Sequence, residues 1–252
     1  MGVSRDIVGP PLPSRIAVIC LLIAVVLLAP RVADAITFDG DLTYTSDYVY
    51  RGISETGGRS AAQVDLHLAT ADGTFIGVFA STLDRLWNRG YATLGWDYEL
   101  EEYLGHRFDL SQSWSTTLTG VNYQYKHGNA PINNDFQEVS IAVSYLDSWS
   151  LTAAYIPNAV RYDHGYRLGR YPAYTADMAT QVPLVGRLFL TAGTGYYFSD
   201  SADYFYGNAG LAFEFKSLRL DAGYYVSQER AQMLFPYGRA GSRFAGSVSW
   251  HF

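Results

Sequence analysis

The last ten residues, 243–252, read RFAGSVSWHF. Phe244, Gly246, Val248, Trp250 and Phe252 share one face of an extended strand; Arg243, Ala245, Ser247, Ser249 and His251 share the other. This is period-two alternation carried to the final residue. A strand ending in bare aromatics is a hazard at the edge of a soluble sheet, because it invites pairing with another chain. A closed barrel in lipid wants such a strand, which pairs with the first strand and turns its apolar face to hydrocarbon. An ordinary sandwich strand is the alternative, and the rest of the chain has to decide.

The pattern repeats upstream. Phe38, Leu42, Tyr44, Tyr48 and Tyr50 are even-numbered, whereas Asp39, Asp41, Thr43, Thr45, Asp47 and Arg51 are odd. One face is apolar and the other charged, as lipid outside and a wet interior require. Val64, Leu66 and Leu68 oppose Asp65 and His67, and Ala71-Asp72-Gly73 then makes a tight turn. Similar segments follow at 98–109, 114–126, 136–146, 149–155, 171–182, 188–198, 204–215 and 218–226. Residues 83–97, 128–134, 157–169, 199–203 and 228–241 read as loops, and 183–186 as a turn. The segments number about twelve, each near the ~9–11 residues that cross a bilayer when tilted. Ten and fourteen strands also fit. Short and long connections alternate, as expected for tight periplasmic turns and longer extracellular loops. Tyr48, Tyr50, Trp149, Tyr196 and Trp250 fall near strand ends, where interfacial girdles belong.

Charged residues make up 17% of the chain, below a typical ~25%. No apolar run long enough for a membrane helix interrupts residues 36–252, so the domain is expected to be an all-β transmembrane antiparallel barrel. Residues 1–35 are a separate object. Arg5 and Arg15 precede the apolar run 16–29, and Ala33-Asp34-Ala35 is an A-x-A pattern. This predicts a cleaved signal peptide, handled by an export translocon, and a bacterial outer-membrane destination. The single cysteine, Cys20, leaves with it, so the mature chain has no disulfide, thiol nucleophile or Cys-metal site. The net charge of −6 makes nucleic acid a poor partner.

At residues 45–54 the chain reads TSDYVYRGIS, with Leu42 before it. This resembles the opening motif of the TorF family of porin-like proteins, also called the Gcw_chp family. The segment 71–80 (ADGTFIGVFA) resembles that family's second hairpin. Residues 134–145, with Glu138, resemble its mid-chain strand, and 203–215 with 220–225 its penultimate hairpin. Three features depart: Tyr125-Lys126-His127-Gly128 where the family often has Tyr-Pro-Gly, Tyr206 where it often has Trp, and a longer 83–97. The ending also resembles the C-terminal assembly signal of outer-membrane barrels, carried here by Phe244, Val248, Trp250 and Phe252 and read by the barrel-assembly machinery. The resemblance implies an outer-membrane barrel and a pore, with no substrate named.

For a pore, the inward charges matter. The candidates are Asp47, Arg51, Asp65, Glu138, Asp177, Arg219, Asp221 and Arg243, each on the polar face of its segment. Mixed charge in a narrow lumen sets ion preference. The same charges could instead pair across the barrel and plug it, since buried charges must be paired. Arg51-Gly52 falls where the first strand becomes loop, either at a constriction or in a structural pair with Asp47. The expected function is passive diffusion of small polar solutes or ions through the lumen, without a chemical step. A plugged structural barrel and an enzyme acting on lipid are the alternatives. The enzyme needs a hydroxyl or carboxyl beside one of His67, His106, His127, His164 or His251, none of which lies in a recognisable nucleophile motif. No metal spacing, phosphate loop or dinucleotide fingerprint appears, so no cofactor is expected.

Overall fold

The computed structural model describes residues 36–83, 98–126, 134–163, 166–200, 202–235 and 238–252. Residues 1–35, expected to be a signal peptide, and residues 84–97 lie outside these, as do His127 and His164.

The alternating segments form a wall. Its strands are β1 (Ile36–Thr45), β4 (Ala61–Thr70), β5 (Thr74–Thr82), β6 (Tyr98–Asp109), β7 (Trp114–Lys126) and β8 (Phe136–Tyr145), followed by β9 (Trp149–Asp163), β10 (Tyr166–Val185), β11 (Leu188–Ser199), β12 (Tyr204–Phe215), β13 (Leu218–Ser227) and β14 (Arg243–His251). Each pairs antiparallel with its neighbours, and β14 pairs back onto β1, closing a twelve-stranded barrel. Two elements stand apart: a hairpin of β2 (Val49–Tyr50) and β3 (Ile53–Ser54), and a single helical turn, α1 (Ala231–Leu234).

Alternation sets the two faces of the wall. On β13, Leu218, Leu220, Tyr224 and Val226 point outward and are exposed, while Arg219, Asp221 and Tyr225 point inward. On β6 and β7 the cross-strand register makes Glu99, Glu101, Tyr123 and Tyr125 inward. Exposed apolar side chains on the outer face are what hydrocarbon tolerates. Aromatics gather at both ends of the strands. Trp114, Tyr145, Trp149 and Trp250 mark the end with tight turns, and Tyr98, Tyr155, Tyr174, Tyr196 and Phe205 the other. Tyr48 and Tyr50 belong to neither girdle. Tyr50 hydrogen-bonds the inward Tyr123 hydroxyl at 3.0 Å, and the Tyr48 ring lies 6.0 Å from inward Phe79.

Three sequence expectations are corrected. The first strand ends at Thr45, not near Arg51, because residues 46–60 leave the wall. The stretch 157–169 is not a loop: β9 runs to Asp163 and β10 begins at Tyr166. The ladder survives there because it shifts register between Tyr171 and Ala173, opposite Ala159 and Ile156. Pro172 and Pro157 fall in that irregularity, where a missing N–H costs no ladder bond. Residues 183–185 continue β10 instead of turning, with a further shift at Pro183/Val185.

Closure of the barrel rests on the last residue. Gly40 and Phe252 exchange both backbone hydrogen bonds, each 3.0 Å. The Phe252 ring covers Gly40, so a Cβ there would sit 2.7 Å from that ring and 2.9 Å from the Asp65 carbonyl. Gly40→Val is therefore expected to overpack the seam and destabilise the barrel by about 1–3 kcal/mol. The check is the urea midpoint of the detergent-refolded protein; an unchanged midpoint would show that the seam can relax.

Candidate functional site

What the polar inner face encloses is the candidate site. After Thr45 the chain turns into the lumen instead of climbing the wall. Thr45 Oγ1 donates to the Asp47 carbonyl at 2.8 Å, and the Ser54 and Thr56 hydroxyls donate to the Asp47 carboxylate at 2.5 and 2.8 Å. Arg51 and Gly52 form the tip of the β2–β3 hairpin, with φ of 48° and 75°. Both central residues at positive φ make a tight turn that right-twisted strands favour, and Gly52 carries it without strain. A side chain at Gly52 would also meet Tyr206 and Ser227 on β12 and β13 within 3 Å.

The tip crosses the barrel. Arg51 donates two hydrogen bonds to Glu138 on β8, at 2.8 and 2.9 Å, with both side chains nearly buried. This planar, bidentate pairing is the strongest geometry available to an arginine and a carboxylate. The hairpin is therefore held on one side by β8 and packed on the other against β12 and β13. The structural pairing of Arg51 with Asp47 is corrected: Asp47 pairs with Arg243 at 3.2 Å. Arg239, from the last connection, reaches Glu55 and accepts the Ser54 N–H at its carbonyl, 2.9 Å away. Burial pushes the Glu55 carboxyl above its ordinary range; Arg239 opposes this and Asp47 adds to it.

These contacts make a packed core inside the long-connection half of the lumen. Ile53 from the hairpin, Leu234 and Ala231 from α1, and Ile156, Tyr197 and Tyr204 from the wall are buried together. The other half is open. A cavity of about 520 Å³ is lined there by Asp41, Asp65, Glu214, Lys216, Arg219 and His251, among others. A smaller one of about 280 Å³ lies at the hairpin tip, between Arg51, Asp177, Asn208 and Tyr225.

The eight candidate residues thus divide. Asp47 and Arg51 lie in the inward connection, and Glu138 and Arg243 on the wall hold them. Asp65 accepts the Tyr103 hydroxyl at 2.6 Å. Asp177 accepts the hydroxyls of Thr175 and Tyr206. Arg219 joins Asp221, Glu214 and Gln181 near the tight turns. Several inward groups went unread in the sequence. Glu99 is 1% exposed, and its carboxylate lies among the Tyr48 and Tyr125 hydroxyls without a hydrogen bond of good geometry. Glu101, Tyr123 and Arg239 are others.

Of the described histidines, His67 faces Asp39 at 3.9 Å and His251 faces Asp41 at 3.3 Å. His106 is on the outer face, its Nδ1 2.8 Å from the Thr74 hydroxyl, beside a tight turn. Among the described residues no group of His, Cys, Asp and Glu is arranged to hold a metal ion.

The sequence matches the Gcw_chp family, described as bacterial protein of unknown function, over residues 30–251. No curated protein matches the sequence. The fold is similar to the solved KdgM porin, at 10% identity and a TM-score of 0.51, over 85% of this chain and 99% of that one. It is also similar to KdgM porin in complex with disordered oligogalacturonate, at 8% identity and a TM-score of 0.50, over 86% and 99%. At such identities the likeness is one of fold.

Arg51→Ala leaves Glu138 buried without its partner, and Glu138→Ala does the reverse. Each is expected to cost about 3–5 kcal/mol, and the double variant less than the sum of the two. Unfolding midpoints of the four proteins test this, with protease cleavage within residues 46–60 as the local readout. Additive costs would show that the pair does not act as a unit.

Proposed function

The chain belongs to the Gcw_chp family of bacterial proteins of unknown function, and from that premise we propose that it is a constricted outer-membrane channel for small polar solutes or ions. The TorF porin identity implied by the sequence motifs is the finer form of this proposal. The tight turns would face the periplasm and the long connections the exterior. The supporting observation is an inner face that is polar along the wall and open at one end, yet crossed by the 46–60 hairpin. A lumen of this kind passes solutes by diffusion, with no chemical step, and the hairpin sets the limiting width.

The charges favour cations. Arg51, Arg243 and Arg219 are engaged by Glu138, Asp47 and the Asp221–Glu214 pair. Asp65, in the open half of the lumen, has no arginine or lysine at ion-pair distance among the described residues, and Asp41 stands opposite it in the β1–β4 register. These carboxylates leave an acidic patch on β1 and β4 that attracts cations and repels anions. The packed plug favours a second reading, in which the barrel is closed and serves as a scaffold.

Conductance of the refolded chain 36–252 in planar bilayers separates the two. The wild type should give small steps with a cation-selective reversal potential. Replacing residues 48–54 by a short Gly-Ser link should enlarge the steps, and Asp65→Asn with Asp41→Asn should weaken the selectivity. Silence of both the wild type and the relinked protein, each folded and inserted, would establish the closed scaffold.

A further inference from the structure

The outer face of the wall carries a polar stripe that lipid cannot serve. Register places Glu102 of β6 outward, in one row with Val78 and Leu66 on one side and Asn122 and Gln137 on the other. On its own strand it lies between Phe108 and Tyr98, the exposed aromatics near the two ends, so it falls within the apolar band. Asn122 and Gln124 donate to the Glu102 carboxylate at 3.0 and 3.1 Å. Gln137 donates to Asn122, and Asn158 to Gln137, each at 2.7 Å, and this end of the stripe passes the Tyr155 girdle at the long-connection rim. Each of these amides uses one N–H in the ladder and has a second to offer. Elsewhere, the outward positions of β12, β13, β14 and β1 are apolar or aromatic between the girdles.

Beside the stripe runs a groove of about 690 Å³. Its apolar side is Leu66, Ile76, Val78 and Leu104; its polar side is Glu102 with Asn122. At Gly120 no side chain fills the floor.

We infer that this face, β5 to β9, is an interface between copies of the chain within the membrane. The inference rests on the outer-membrane reading. Two arguments select a second copy as the occupant. At this depth the alternatives are acyl chains, which offer no hydrogen bond, or another membrane-spanning wall. Primary amides are donors and acceptors at once, so a stripe of them is complementary to itself, as an isologous contact requires.

The mature chain has no cysteine, so single cysteines report cleanly. Leu104→Cys lies in the groove, and Leu211→Cys on β12, six strands away, is the control. In isolated outer membranes a short bis-maleimide should link the groove variant at a multiple of the chain mass and leave the control at a single mass. Glu102→Leu with Asn122→Leu should abolish the linkage at least tenfold, while heat-modifiable migration shows that the barrel still folds. The proposal is overturned by an unlinked groove variant, by a linked product of any other mass, or by linkage that survives the double leucine variant. Absence of the chain from the outer-membrane fraction would overturn the membrane reading itself, and the interface with it.

Discussion

Everything in this molecule follows from the demand that backbone N–H and C=O groups be paired where no water reaches. In hydrocarbon an unpaired group costs several kcal/mol, and only helices and closed barrels avoid it. A chain of alternating segments has one solution: the first and last strands must find each other. The Gly40–Phe252 exchange and the five-residue register from Asp41↔His251 to Thr45↔Ser247 supply that seam. The bare aromatic terminus, hazardous in a soluble sheet, is here the part that finishes the ladder.

Closure creates a second problem inside. The inner face of twelve strands is polar because the outer face is not, and its charges need partners or water. The chain uses both. Toward the tight turns the lumen stays open, and Arg219 is shared among Asp221, Glu214 and Gln181. Toward the long connections the β2–β3 hairpin and α1 enter and bury their apolar side chains against Ile156, Tyr197 and Tyr204. A core forms inside the barrel, where a soluble protein would have one, and Arg51–Glu138 ties it to the wall.

The wall was legible because period two is a local property. The bounds of β6 and β7 could be read directly, and Leu218 to Val226 declared both faces of β13. The hairpin was hidden because its residues keep the same parity: Tyr48 and Tyr50 continue the even-numbered aromatics of β1 in the same phase. Alternation says which residues share a face; it does not say whether that face belongs to wall or plug. The one available signal was Arg51-Gly52, a pair suited to a turn with two positive φ angles. Glu101-Glu102 concealed the parity of β6 for a related reason. Two adjacent carboxylates cannot both point inward, and composition alone does not say which one turns out. The 157–169 stretch misled through its prolines and polar residues, which here occupy a register shift in a continuing ladder.

That ambiguity at Glu101-Glu102 bears on what the outer surface means. A strand that needed only to separate lipid from lumen would place an aliphatic residue at 102, as β5 does with Val78 directly beside it. Instead, the outward carboxylate is met by Asn122 and Gln124, and the amides continue through Gln137 to Asn158. Residues on four consecutive strands are matched to one another, so the stripe is one construction and not a stray charge. The rule that closes the barrel also governs this stripe: a polar group in hydrocarbon must be answered by protein. For the wall and its inner face the answer is the seam and the plug, and for the outer face the proposed answer is the wall of a second copy.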